Sequence, residues 1–244
     1  MTERISPGRF TLAVAAALAI GTTAGFFLDR TIDGGAADGE AIREYLLENP
    51  EILPEMVQAL QTKDAQARLS DVRGDLEQPF PGAVLGNPNG SVTLVEFTDY
   101  ACGYCRTSAD QVEELVAANP DLRVVIREWP ILSDTSVEAA KMALAAARQG
   151  KYAAFHNAMY DGDASPAENI AIAARKAGLD QAQAAKDIAD PALEAELAKN
   201  GELARAMGFE GTPAWIVGDK VLAGAVGKQA LADAIAAAQN AAKE

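Results

Sequence analysis

Cys102 and Cys105, separated by Gly103 and Tyr104, are the chain's two cysteines and the residues best suited to chemistry. They follow the apolar, β-branched run Val92–Thr98 and precede a stretch whose apolar positions Val112, Leu115 and Val116 recur at helical spacing. Cys102 is therefore expected where a strand hands over to a helix. A residue at a helix start faces unpaired backbone N–H groups and the positive end of the macrodipole, and both favour a thiolate over a thiol. Cys105 falls one turn further, on the same face and deeper, at a spacing that a disulfide can bridge. Cys102 would attack a disulfide to form a mixed disulfide, and Cys105 would resolve it. The competing uses of such a pair are weaker. A structural disulfide closing so short a loop restrains the unfolded chain little, and a four-ligand zinc site lacks its other two ligands.

Glu96 is the next residue of interest. Along its strand it alternates with Leu94 and Thr98, which aims a carboxylate into the core beneath the cysteines. Buried there it would titrate high and could relay the proton of Cys105; the other reading is a half-exposed strand carboxylate. His156, in Ala-Ala-Phe-His-Asn, is the chain's one histidine and reads as structural. Phe155 and Trp215 read as core or groove-lining residues, and Trp129-Pro130 as the end of a strand.

Composition narrows the function classes. The formal net charge of -14, from 21 Lys and Arg against 35 Asp and Glu, argues against nucleic acid, because phosphate binding needs clustered cations. One histidine and two cysteines exclude zinc fingers and His-rich metal sites. There are no internal repeats and no nucleotide-binding glycine loop, so the pattern requires neither cofactor nor metal.

The elements around the site suggest an α/β domain from Ala83 to the C-terminus. Val84-Leu85 and Val92–Thr98 are strand candidates around Asn87-Pro88-Asn89-Gly90, and Cys102 opens a helix that Asn119-Pro120 stops. Leu122–Ile126 is a further strand. Residues 133–209 are Ala-rich and helical, broken at Gly150, Gly162, Ser165-Pro166, Gly178 and Asp190-Pro191. Ala214–Val217, the hairpin signal Gly218-Asp219 and Val221-Leu222 return to strand, and a helix follows from about Lys228. The order describes an α/β layout with a helical insertion at about 133–209.

Ahead of it, residues 1–30 read as a targeting segment. Arg4 and Arg9 precede an uncharged run, Phe10–Leu28, which fits either a cleaved signal peptide or an uncleaved membrane anchor. Both readings export the rest of the chain to an oxidising compartment, the periplasm, where a cysteine pair can form a disulfide. Thr31–Gly39 reads as a spacer. Residues 38–62 hold two short amphipathic helices interrupted at Asn49-Pro50, with Pro54 awkwardly early in the second. Their apolar face needs a partner, either the main domain or the same segment of another protomer. Residues 63–82 read as a polar, helix-compatible linker.

The run Val95-Glu96-Phe97-Thr98-Asp99-Tyr100-Ala101-Cys102-Gly103-Tyr104-Cys105, with Gly211-Thr212-Pro213-Ala214 downstream, resembles the DsbA-like branch of the thioredoxin superfamily. The segment Ile42-Arg-Glu-Tyr-Leu-Leu-Glu-Asn-Pro-Glu-Ile52 is similar to the N-terminal domain of the suppressor-of-copper-sensitivity C proteins. The resemblance implies a thioredoxin-like fold preceded by a small helical segment. It also implies a cis Pro213 against the Cys102 sulfur, whereas the residues alone read as a proline opening a strand. The backbone of Thr212 would then pair with an extended substrate segment. Gly103 and Tyr104 would tune the redox potential. Glu96 takes the place of the acidic residue below the active-site disulfide. The Gly-Tyr dipeptide with Thr before the cis-proline tilts the expectation to a disulfide isomerase of exported proteins, homo-oligomeric through residues 38–62 and served by a membrane redox partner. The alternatives are a DsbA-like dithiol oxidase, or a periplasmic Cu(I)-binding protein of copper tolerance, since thiolates suit Cu(I).

Overall fold

The structure is a computed structural model and describes residues 39–161 and 166–241. The proposed targeting segment 1–30, and all of the spacer but Gly39, lie outside the described residues. The chain divides into two units, one ending at Leu60 and one beginning at Gln61.

In the first unit, helix α1 covers residues 39–48. Asn49 closes it, its side-chain amide donating to the Tyr45 carbonyl at 2.7 Å. A single 3-10 turn, Pro50–Ile52, follows with Pro50 at its start, and helix α2 runs Leu53–Glu77. Pro54 thus stands in the first turn of α2, where its missing N–H would have had no partner, and the awkward placement expected for it disappears. Ile42, Tyr45, Leu47, Leu53, Met56, Val57 and Leu60 are all exposed.

The stretch expected as a linker over 63–82 has a different role. As far as Glu77 it is the second half of α2. Leu69 and Leu76 are fully buried and Val72 partly so, a stripe at i, i+3 and i+7 that packs on the sheet beside Val95, Phe97 and Ile216. Arg127, itself buried, fixes the end of this helix. It donates to the carbonyls of Asp75, Leu76 and Gln78 and pairs with Glu196 at 3.1 Å. A guanidinium so placed satisfies last-turn carbonyls that no backbone N–H can reach.

The larger unit is built on five strands: β1 Val84–Gly86, β2 Val92–Thr98, β3 Leu122–Glu128, β4 Ala214–Val217 and β5 Lys220–Ala223. Their order is β1-β3-β2-β4-β5, with β2 and β3 parallel and the other pairs antiparallel. Helix α3, Gly103–Ala118, makes the crossover that a parallel pair requires. The β4–β5 hairpin turns at Gly218-Asp219, with Gly218 at φ +54°, a conformation that L side chains rarely adopt.

β2 is buried on both faces. Val92 and Leu94 join the cluster containing Cys102, Cys105 and Trp215, whereas Val95 and Phe97 face α2 and Phe209. Between β3 and β4 come α4 Asp134–Arg148, α5 Tyr152–Tyr160, α6 Pro166–Lys176, α7 Gln181–Ile188 and α8 Pro191–Met207. This is the helical insertion anticipated from composition. In α4, Ala139, Ala140, Ala143, Ala145, Ala146 and Ala147 are all buried, and their small side chains let neighbouring backbones approach closely. A Cβ at Gly82 would lie 2.5 Å from the Ala147 carbonyl oxygen. Helix α9, Lys228–Ala241, contributes Leu231 and Ile235 to the same cluster. The fold is α/β and thioredoxin-like.

Candidate active site

The turn between β2 and α3 is held by Asp99. Its Oδ1 accepts the Ala101 N–H at 2.8 Å, and its Oδ2 accepts those of Ile131 and Leu132 at 2.8 and 3.0 Å. The Cys102 N–H donates to the Asp99 carbonyl at 3.0 Å. One buried carboxylate therefore ties the approach to Cys102 to the loop after β3. Reading the sequence overlooked Asp99, since an aspartate after a strand looks like any turn former.

Cys102 is the N-cap residue of α3, with extended backbone and no side-chain cap. Its Sγ lies 3.3 Å from the Thr212 carbonyl oxygen, and the Thr212–Pro213 bond is cis. Gly103 has open space where a Cβ would stand, and Tyr104 is 71% exposed. A cleft of about 590 Å³ opens here, lined by Tyr104, Phe209, Glu210, Gly211, Thr212 and Gly224. Cys105 is fully buried, and burial pushes its thiol far above the usual range. Both cysteines are free thiols. Cys102 is itself only 8% exposed, and its sulfur lies against the carbonyl of Thr212, which lines the cleft, whereas Cys105 has no exposed surface, an arrangement suited to attack and resolution.

Glu96 is where strand alternation put it, with no exposed surface and on the Leu94 face. Neither of its carboxylate oxygens finds a hydrogen-bonding partner among the described residues. Burial, and then the neighbouring Glu128, push it up to about 8. Glu128, at the end of β3, is equally buried and is pushed up by burial to about 8 as well. Its Oε1 accepts the hydroxyls of Tyr100 at 2.9 Å and Tyr152 at 2.6 Å. Tyr160 shares a 2.8 Å hydrogen bond with Thr98.

His156 completes this buried group, its Nδ1 standing 3.0 Å from the Tyr100 hydroxyl. Tyr100 gives its single hydrogen to Glu128 and so accepts from Nδ1–H, which assigns the tautomer of the ring. Burial lowers His156 to about 3, so it is neutral and structural, as its sequence context suggested. Phe155 and Trp215 are core residues, and Trp215 donates to the Gly224 carbonyl at 2.9 Å. Tyr100, Glu128 and Tyr152 were not anticipated. Only the register of β3 beside β2 and the position of α5 bring them together.

Known proteins share the fold. Residues 93–236 match the family described as DSBA-like thioredoxin domain, and residues 39–67 match that described as copper resistance protein ScsC N-terminal domain. A thioredoxin-like oxidoreductase from Silicibacter pomeroyi is 45% identical, with a TM-score of 0.62 over 64% of this chain and 91% of that one. ScsC from Proteus mirabilis in a transitional conformation is 27% identical, with a TM-score of 0.65 over 82% and 94%. Among curated proteins, the Na(+)/H(+) antiporter NhaA 1 of Salinispora arenicola is 28% identical over 159 residues, 64% of this chain. The match spans 24% of that antiporter's length. No helix among the described residues is long and apolar enough to cross a membrane.

Proposed function

The chain belongs to the DsbA-like thioredoxin family, and from that premise we propose that it acts in the periplasm as a disulfide isomerase of exported proteins. Cys102 is the nucleophile, Cys105 the resolving thiol, Thr212 and Pro213 the substrate-binding edge, and Glu96 the proton relay. Gly103 and Tyr104 tune the pair. The observation that carries the reading is the Cys102 Sγ 3.3 Å from the carbonyl of the cleft-lining Thr212, with Cys105 fully buried one helical turn on.

The Cys102 thiolate attacks one sulfur of a substrate disulfide, forming a mixed disulfide and releasing the other substrate sulfur as a thiolate. In isomerisation, a substrate thiolate then attacks the substrate sulfur of the mixed disulfide. A new substrate disulfide forms and the Cys102 thiolate returns, with no net redox change. In the escape route, Cys105 passes its proton to the Glu96 carboxylate and attacks Cys102. The substrate then leaves reduced by two electrons, and the enzyme, having lost those two electrons, is left oxidised as the Cys102–Cys105 disulfide. A membrane redox partner supplies two electrons to restore the dithiol.

Isomerisation needs Cys102 kept reduced, and self-association through residues 38–62 supports this by enclosing the catalytic domains. The exposed side chains of Ile42, Tyr45, Leu47, Leu53 and Leu60 favour a second copy of this segment as their partner. The match of residues 39–67 to the ScsC N-terminal domain points the same way. Reactivation of a scrambled-disulfide substrate, with Cys102→Ser as control, tests the proposal. Cys102-dependent reactivation is expected. Its absence, alongside rapid oxidation of a reduced substrate, would make the protein a dithiol oxidase.

A further inference from the structure

Two fully buried carboxylates lie on one face of the sheet beneath the cysteines. β2 and β3 run parallel with Glu96 opposite Ile126 and Thr98 opposite Glu128, so Glu96 and Glu128 are diagonal neighbours on one surface. Neither has an ion-pair partner among the described residues, and Arg127 of β3 is turned to the opposite face, towards α2 and α8. Two like charges buried side by side cannot both be held, so the proton between them goes where the environment is poorer for an anion.

The two environments differ. Glu128 accepts two phenol hydroxyls, from Tyr100 and Tyr152, on one oxygen. Glu96 accepts none. Hydrogen bonds to the charged form favour it, so of the two Glu128 ionises first and Glu96 holds its proton longer. The other groups facing the pair do not reverse this order. Cys105 of α3 and Tyr160 of α5 are held protonated by burial, and His156 is neutral. Asp99, next to Tyr100, adds a further negative charge beside Glu128. Arg106 of α3 lies 5.9 Å from the Tyr160 ring and bonds the Tyr160 carbonyl. β4 and α9 contribute Trp215, Leu231 and Ile235.

We infer that Glu128 is a positioning residue for thiol exchange: Tyr100 and Tyr152 make it the first of the pair to ionise, which keeps the remaining proton on Glu96 and so sets the pH at which Glu96 can take the proton of Cys105. The inference rests on the relay role proposed for Glu96. It gives the tyrosines of α5 and of the turn before Cys102 a function in a step they do not touch. When Cys105 attacks, its proton crosses to ionised Glu96, and Glu128 makes that ionisation harder. The resolving step is therefore slow in acid and gains speed as Glu96 ionises. In the reverse step the same proton, held on Glu96, is ready for the departing Cys105 thiolate.

The test is the pH dependence of the resolving step in the full-length protein, starting from Cys102 capped with glutathione and following glutathione release between about pH 5 and pH 9. In this state Cys102 does not titrate. In Glu128→Gln the rising limb is expected to move to lower pH by about one unit, because the like charge beside Glu96 is gone. Tyr152→Phe keeps the carboxylate and removes one of its donors. It moves the limb in the same direction by a smaller step, and adds nothing in the Glu128→Gln background. Glu96→Gln removes the limb. A limb lost in Glu96→Gln but unmoved in both Glu128→Gln and Tyr152→Phe overturns the inference and leaves the relay standing, whatever happens to stability. A limb that survives Glu96→Gln overturns both.

Discussion

The Sγ of Cys102 lies 3.3 Å from the carbonyl oxygen of Thr212, a residue 110 positions away in the chain. The helix start and the loop entering β4 are separate in sequence and adjacent in the sheet, because β4 pairs directly with β2. The attacking sulfur thereby lies beside a backbone edge able to hold an extended peptide. On the proposed mechanism, attack and docking would become one event.

Glu96 titrates near 8 in the folded protein instead of its ordinary 4.5. Between those values the folded chain keeps a proton that the unfolded chain has lost, so stability falls as pH rises through this range. Glu96→Gln removes that dependence. Its stability by denaturant unfolding should match the parent near pH 4 and exceed it at pH 8 by on the order of a few kcal/mol. Equal pH dependence in the two proteins would show that Glu96 is ionised throughout.

The same substitution has the opposite effect on turnover. Without a group to take the Cys105 proton, resolution of the mixed disulfide should slow by roughly 10²-fold at pH 8. Attack by Cys102 on a small disulfide should remain near the parent rate. Stopped-flow measurement of the two steps separates them.

Arg127 joins the end of α2 to the sheet and pairs with Glu196. Arg127→Leu leaves last-turn carbonyls and a carboxylate without their cation, and should cost about 3 kcal/mol in denaturant unfolding. The pH dependence of thiol exchange should not move, because this guanidinium lies on the face away from Cys105.

How much of this was legible in the residues depends on how local each signal is. The Cys-x-x-Cys helix start, the hairpin at Gly218-Asp219 and the inward Glu96 are written in short windows of alternation and turn chemistry, and they appear as expected. The second half of α2 was obscure because Leu69, Val72 and Leu76 are sparse among polar residues, and only the sheet face they cover gives them meaning. The bond from Tyr100 to Glu128 joins residues 28 apart, and that from Tyr152 to Glu128 joins residues 24 apart. Such contacts follow from strand register and helix packing, which no short window contains.

The buried place of Leu69 and Leu76 also decides how self-association should be tested. A fragment beginning at Ala83 would strip these side chains from the core. Leu53→Glu with Leu60→Glu in the full chain alters exposed positions only. Light scattering should show a smaller mass per particle, with loss of scrambled-substrate reactivation and retention of simple thiol exchange. An unchanged mass would remove residues 38–62 as the oligomerisation segment.

The account stands on Cys102 as the sulfur that attacks substrate disulfides, and covalent trapping in Cys105→Ser tests this most directly. With the resolving thiol gone, the mixed disulfide should accumulate on incubation with disulfide-bonded exported proteins. Mass spectrometry should locate it on Cys102, and a reducing agent should release it. Absence of any adduct in Cys105→Ser, or adducts that persist when Cys102 is also replaced by serine, would contradict the account.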